Sequence, residues 1–215
     1  MRRLAPLLVL VCLLAACGGK GGKGAAQATT DAAGCVSVSK PSTGARTHAK
    51  PTQSLDAAKT YDVVLKTNCG SFTIRLAVKT SPKTTASFAN LVRRGYFDQT
   101  VFHRIAVGFV IQGGDPTASG TSGPGYTTVD KPPASTQYTF GLVAMAKTQS
   151  DAPGTSGSQF FVVTGKNIGL PAIYAVLGRV LPAGFGVVRR IGVLGNPSEQ
   201  PTRVVEIEKA TLHVH

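Results

Sequence analysis

The chain has 215 residues, 42% of them hydrophobic, which suits one medium-sized domain with a real core plus extra segments. Twenty-three Lys and Arg against ten Asp and Glu give a formal net charge of +13, compatible with solubility, an anionic surface or a polyanionic partner. The basic residues are spread along the chain and do not interleave with aromatics in a stacking pattern, so nucleic acid is not expected as a partner.

The chain opens with Met1-Arg2-Arg3, and Leu4 to Ala16 form an apolar run too short to span a bilayer comfortably. The run ends in Leu14-Ala15-Ala16-Cys17, which resembles the lipobox of bacterial lipoproteins, where small residues admit a peptidase and the cysteine thiol receives a diacylglycerol. The resemblance implies a signal peptide over residues 1–16, lipidation at Cys17 and a membrane partner held through that anchor. The protein would then be lipid-anchored outside the cytoplasm, at the periplasmic face or the cell surface. The alternative is an ordinary signal peptide with a chance cysteine. Residues 17–60 lack aromatics and are rich in Gly, Ala, Thr, Ser and Lys, too little apolar surface to offset ordering entropy. They are expected to form a flexible tether. With Cys12 discarded and Cys17 acylated, Cys35 and Cys69 remain. Outside the reducing cytosol such a pair is most simply a disulfide; the alternative is two independent thiols.

From residue 61 to residue 215 the pattern is that of a folded domain rich in Val, Thr, Phe and Gly. Tyr61 to Thr67 and Ser71 to Leu76 read as a hairpin turning at Asn68-Cys69-Gly70. Ser81-Pro82 reads as the N-cap and first position of a helix, Phe88, Leu91 and Val92 fall at helical spacing, and Gly95 closes it. Val101-Phe102, Gly108 to Ile111, Leu142 to Met145, Gln159 to Val163 and Tyr174 to Val180 are apolar strand candidates. Val187, Val188 and Ile191 suggest a short second helix, and Arg203 to Val214 a final strand. Many strands and few helices fit a closed or nearly closed antiparallel barrel.

The stretch Tyr96 to Tyr126 organises the rest. Arg104, Val110 and Gln112 share parity, so one face of a sheet could present a cation, an apolar contact and an amide together. The glycines after Gln112 permit a sharp turn and a close approach by another segment. Nucleophilic catalysis lacks a G-x-S-x-G element, the carboxylates are scattered, and His48, His103, His213 and His215 form no ligand set with Asp or Glu. No metal and no cofactor is expected. His103 reads as a packed, hydrogen-bonded histidine rather than a proton donor.

One chemistry needs neither nucleophile nor metal. Rotation about an X–Pro bond meets a barrier near ~20 kcal/mol because the nitrogen lone pair is delocalised into the carbonyl. A hydrogen bond donated to the prolyl nitrogen localises that lone pair as the amide twists, and a rigid, permanently charged guanidinium is a good donor.

Phe102-His103-Arg104-Ile105 followed by Gly108-Phe109-Val110-Ile111-Gln112-Gly113-Gly114-Asp115 resembles the signature of the cyclophilin family of peptidyl-prolyl cis–trans isomerases. Gly141 to Ala146 and Gly157-Ser158-Gln159-Phe160-Phe161 resemble two more blocks of that family in order. The resemblance implies a mainly β fold, a closed eight-stranded antiparallel β-barrel capped by two helices. It implies proline-containing polypeptides as partners and isomerisation of their X–Pro bonds, without a cofactor, by a protein expected to be a monomer. Arg104 would be the catalytic donor, and Gln112, grouped with it in the catalytic set, would hold the substrate backbone. Phe109, Val110, Phe161 and Leu170 would wall the proline pocket, with Tyr174 beside them, and Ala146 and Lys147 would bind the residue before proline through main-chain groups. Val110 stands where methionine is common, Lys147 where asparagine is, and Gly169 and Tyr174 where animal members carry tryptophan and histidine. Cyclosporin-type inhibitors are therefore expected to bind weakly. Two rival readings stand beside the isomerase: a non-catalytic proline-peptide-binding or chaperone lipoprotein, and a basic envelope protein for an anionic polymer.

Overall fold

The structure, a computed structural model, describes residues 30–31 and 34–215; the expected signal peptide and Cys17 lie outside the described residues. Strand β1 (Tyr61–Thr67) turns back through Asn68-Cys69 into β2 (Gly70–Leu76), pairing Thr67 with Gly70. Period-two alternation decides their faces: Val63, Leu65, Phe72 and Ile74 are buried while Lys66 and Arg75 are exposed.

The last strand, β11 (Glu206–Val214), returns to pair with β1, while β10 (Val176–Val180) pairs with β2. The sheet continues through β7 (Leu142–Met145), β9 (Phe160–Val163), β5 (Val110–Gly113) and β4 (Arg104–Ala106), each antiparallel to its neighbour. The short β3 (Thr100–Val101) sits outside β11. A separate two-stranded sheet joins β6 (Thr128–Val129) to β8 (Thr155–Ser156).

The expectation of a closed eight-stranded barrel is therefore corrected. Among the described residues the main sheet is a curled half-barrel of nine strands, in the order β3-β11-β1-β2-β10-β7-β9-β5-β4. Its two edges, β3 and β4, are consecutive in the chain and share no ladder. The reason lies at Phe102 and His103: the Phe102 N–H donates to the Val205 carbonyl on the β11 side, and the His103 N–H to the Gln112 carbonyl on the β5 side. The backbone changes partner between those two residues.

Two helices pack against the sheet, α1 (Pro82–Arg93) and α2 (Phe185–Gly192), the latter preceded by a 3-10 turn at Pro182–Gly184. Pro82 opens α1 and Gly95, at φ +67°, follows its end. Ser81 occupies the N-cap position but its hydroxyl makes no capping bond; Asp130 supplies the acceptor instead, at 2.6 Å from the Thr84 nitrogen. The core between α1 and the sheet is aromatic. Phe160 meets Phe88 edge-on at 5.5 Å and Phe102 at 6.0 Å between ring centres.

Residues 34–60, the later part of the expected tether, form no helix or strand beyond an isolated bridge at Val36 and lie along the domain. Cys35 is bonded to Cys69 at the β1–β2 turn, and the Asn68 side-chain amide donates to the Val36 carbonyl at 2.8 Å. Farther along, Arg46 Nη1 donates to the carbonyls of Gly95, Tyr96 and Asp98 just beyond α1. Thr43 donates to the Pro116 carbonyl, and the His48 N–H to that of Pro124.

Candidate active site

Residues directly opposite one another in an antiparallel ladder point to the same face of the sheet. Arg104 pairs with Gln112, Gln112 with Phe161, and Phe161 with Ala144, so four strands carry one continuous row of side chains. Two residues along, Ala106 pairs with Val110 and Val110 with Val163, forming a second row on the same face. The intervening residues Ile105, Ile111, Val162 and Val143 pair in turn and face the main core. Alternation thus separates a structural side from a side available for chemistry.

The available face has its own smaller apolar cluster. Val110, Tyr138, Leu142, Ala144, Phe161 and Val163 are buried in it, and Phe109, Ala146, Ile168, Leu170 and Tyr174 pack around the rim. Between these groups lies a cleft of about 210 Å³. Val110 and Phe161 form its apolar floor, Phe109, Leu170 and Tyr174 its sides, and Ala146 and Lys147 one lip. Arg104 and Gln112 bring the polar groups. All nine catalytic and substrate-binding residues expected from the sequence meet at this cleft.

Arg104 is held on three sides. Its Nε–H donates to Glu199 Oε2 at 2.6 Å, Nη1 donates to Gln112 Oε1 at 3.2 Å, and the guanidinium carbon lies 6.0 Å from the centre of the Phe109 ring. Gln112 passes the connection on: its amide donates to Gln159 Oε1 at 3.1 Å, and the Gln159 amide donates to the Ser122 carbonyl at 3.1 Å. Two of the five guanidinium N–H groups are engaged in these bonds, and the others have no hydrogen-bond acceptor among the described residues. Lys147 turns its ammonium onto the carbonyls of Thr148 and Asp151, at 2.8 and 2.9 Å, and lies 5.9 Å from the Tyr174 ring centre. Gln112, Ala146 and Lys147 also border a second depression of about 290 Å³, reached past Ser122 and Gln159.

Tyr138, absent from the sequence reading, supports one wall. It is fully buried, its hydroxyl donates to the Tyr174 carbonyl at 2.7 Å, and it accepts from the Tyr174 N–H at 3.0 Å. Burial pushes the Tyr138 phenol up from its ordinary value. Phe161 meets Tyr174 edge-on at 5.6 Å and Tyr138 at 6.3 Å, so three rings hold one another in place.

The turn after β5 works as its glycines imply. Gly114 has φ +88°, and a Cβ there would lie 2.4 Å from the Ser158 carbonyl oxygen. Asp115 then gathers the loop: it accepts from the Thr117 N–H and hydroxyl, the Ser119 hydroxyl and the Ser122 N–H. Burial alone would raise its carboxyl, but these hydrogen bonds outweigh it and hold the group below the ordinary value. His103, beside Arg104, turns away from the cleft and borders a hollow of about 310 Å³ shared with Lys40 and Arg203. Its ring is packed, but neither nitrogen has a hydrogen-bond partner among the described residues, which corrects the expectation of a hydrogen-bonded histidine. Burial lowers its pKa and favours the neutral ring.

The sequence profile described as "Cyclophilin type peptidyl-prolyl cis-trans isomerase/CLD" matches residues 62–212. The chain belongs to the cyclophilin-type peptidyl-prolyl cis–trans isomerases. Peptidyl-prolyl cis-trans isomerase-like 1 from Gibberella zeae is 39% identical over 156 residues, covering 70% of this chain and 94% of that protein. The Homo sapiens protein of the same name is also 39% identical, over 160 residues, covering 72% of this chain and 94% of its own length. Among solved structures, a Cryptosporidium parvum cyclophilin-type isomerase superposes with a TM-score of 0.65 at 29% identity, covering 72% of this chain and 98% of that one. The same protein in the presence of the dipeptide Ala-Pro superposes equally well, with a TM-score of 0.65 and 30% identity. This cyclophilin therefore has the isomerase fold over its domain, while residues 34–60 lie outside the matched region. Among the described residues no cluster of three His, Cys, Asp or Glu side chains is placed to hold a metal.

Proposed function

We propose that this cyclophilin isomerises X–Pro bonds in exported polypeptides and assists their folding outside the cytoplasm, held at a membrane by acyl chains on Cys17. Arg104 is the group that lowers the barrier. As the imide twists, the prolyl nitrogen becomes pyramidal and its lone pair localises, and an N–H of Arg104 donates to it. The interaction is strongest at the twisted geometry, so it stabilises the transition state more than either planar isomer. Val110 and Phe161 receive the proline ring, with Phe109 and Leu170 at its sides. Gln112 holds the substrate backbone, and main-chain groups at Ala146 and Lys147 take the residue before proline. No bond is made or broken, so no nucleophile or cofactor enters the scheme.

The observation that carries the chemical part is the row Arg104-Gln112-Phe161-Ala144, which sets a fixed cation above an apolar floor in one cleft. The cellular part is supported by the apolar leader ending in Leu14-Ala15-Ala16-Cys17 and by the bond between Cys35 and Cys69, a pairing that suits an oxidising compartment. The test has two arms. Full-length protein should accelerate cis–trans exchange of a proline peptide, and an inactive protein would refute the chemistry. Chain expressed in a bacterium that acylates lipoproteins should be recovered from membranes with Cys17 as its acylated first residue, and Cys17→Ser should not. Recovery of the wild type as soluble, unacylated chain would refute the anchoring.

A further inference from the structure

We propose that Glu199 is a positioning residue for Arg104, carried on a loop that accepts an unfavourable backbone conformation in order to aim the guanidinium into the cleft. The inference rests on the role given to Arg104 above and extends it to a residue outside every motif that points to the site.

Glu199 lies 95 residues along the chain from Arg104, in the connection between α2 and β11. Its carboxylate takes the Nε–H of Arg104 at 2.6 Å while Gln112 takes one Nη1–H at 3.2 Å. Two acceptors at different edges of a planar fork fix both its plane and its rotation, and a fixed donor needs no reorganisation as the imide twists. Glu199 does not itself line the cleft, so any influence it has on the reaction passes through the arginine.

The loop is built to hold that carboxylate where it is. The Ile105 N–H, next to Arg104 on β4, donates to the Glu199 carbonyl at 2.9 Å, tying acceptor and donor to the same strand. Asn196 Oδ1 accepts from the N–H groups of Ser198 and Gln200, both at 2.9 Å, and the Asn196 carbonyl accepts from the Glu199 N–H at 2.8 Å. Within this frame Glu199 has φ +60°, the left-handed region where glycine is at ease and a long side chain is not. Stability does not account for a glutamate there. The pair sits at the rim, with side chains 33% and 45% exposed, and exposed ion pairs contribute little to folding. A disfavoured conformation kept beside a reacting group fits a functional requirement.

The test uses full-length protein, a proline peptide as substrate, and separate measurements of kcat, KM and Tm. Glu199→Ala should lower kcat roughly tenfold through misaligned donation, with KM within about twofold of wild type. Glu199→Gln, which keeps an acceptor, should recover most of that loss. Glu199→Gly should lose activity as Glu199→Ala does while its Tm stays level or rises, because glycine relieves the backbone. In an Arg104→Ala background, Glu199→Ala should change nothing further. A Glu199→Ala variant with wild-type kcat overturns the inference, as does an equal loss in the Arg104→Ala background or a loss that follows Tm across the series. Inactivity of Arg104→Ala beside full activity of Glu199→Ala removes only this inference, whereas full activity of Arg104→Ala removes the reading of the arginine itself.

Discussion

Removing the hydroxyl of Tyr138 isolates the support of the cleft wall from the cleft itself. The phenol oxygen bonds both backbone groups of Tyr174, its N–H at 3.0 Å and its carbonyl at 2.7 Å, and the ring stays packed between Phe161 and Tyr174 when Phe replaces Tyr. Tyr138→Phe therefore deletes two hydrogen bonds with almost no change in buried apolar area. Each bond is worth about 1 kcal/mol net, and stranding a fully buried partner would cost more. Tyr174 is only partly buried, so water can reach part of what is exposed, and the loss should come to about 2 kcal/mol. For a domain of this size that lowers Tm by about 4–8 °C. Because Tyr174 and Leu170 form one side of the cleft, KM for a proline peptide should rise while kcat stays within about twofold. Calorimetry and peptide-exchange kinetics on the same preparation give both numbers. A variant with unchanged Tm and unchanged KM would refute the assignment of Tyr138 as the brace of that wall.

Two further predictions concern the scaffold. Cys35→Ala with Cys69→Ala frees a loop of 34 residues and should lower stability by about 4 kcal/mol at most; denaturant midpoints compared at equal slope would show it, and equal midpoints would contradict it. His103 has its pKa lowered by burial, so the unfolded chain binds its proton first; stability from this residue is intact above the ordinary value of 6.5 and falls as pH drops below it, down to the lower folded value. The slope of Tm between pH 7 and 5 should flatten in His103→Leu, and an unchanged slope would count against the buried neutral ring.

Arg104, Val110, Gln112 and Phe161 were legible because they lie in strands whose alternation the sequence displays, whereas Phe109, Ala146, Lys147, Leu170 and Tyr174 lie in turns and loops and were reached only through the family resemblance. Arg104, Val110 and Gln112 share parity, and that parity is what the ladder converts into one face. The hairpin at Asn68-Cys69 and the helix opened by Pro82 were legible for the same local reasons. Partners that arrive from distant segments were not. Nothing near Glu199 in sequence marks it as a neighbour of Arg104, and Tyr138 lies in a loop without period. The cap of α1 depends on Asp130, 46 residues from Thr84, rather than on the adjacent Ser81. Strands β6 and β8 have two residues each, too few for alternation to appear, and β3, expected at Val101-Phe102, ends at Val101, so the strand number and the open edges of the sheet could not be read in advance. Residues 34–60 show no apolar periodicity because they meet the core only at single points, Cys35 and Leu55, and are otherwise held by a disulfide and scattered polar contacts such as Arg46 on the carbonyls beyond α1.

The central claim is that the Arg104 guanidinium serves the twisted imide rather than the bound peptide. Measuring peptide affinity and exchange rate together on Arg104→Ala tests it most directly. Affinity should stay within about threefold of wild type while isomerisation falls roughly a hundredfold to a thousandfold, the signature of a donor used in the transition state. Exchange at the wild-type rate, or a loss of rate matched by an equal loss of affinity, would contradict the account.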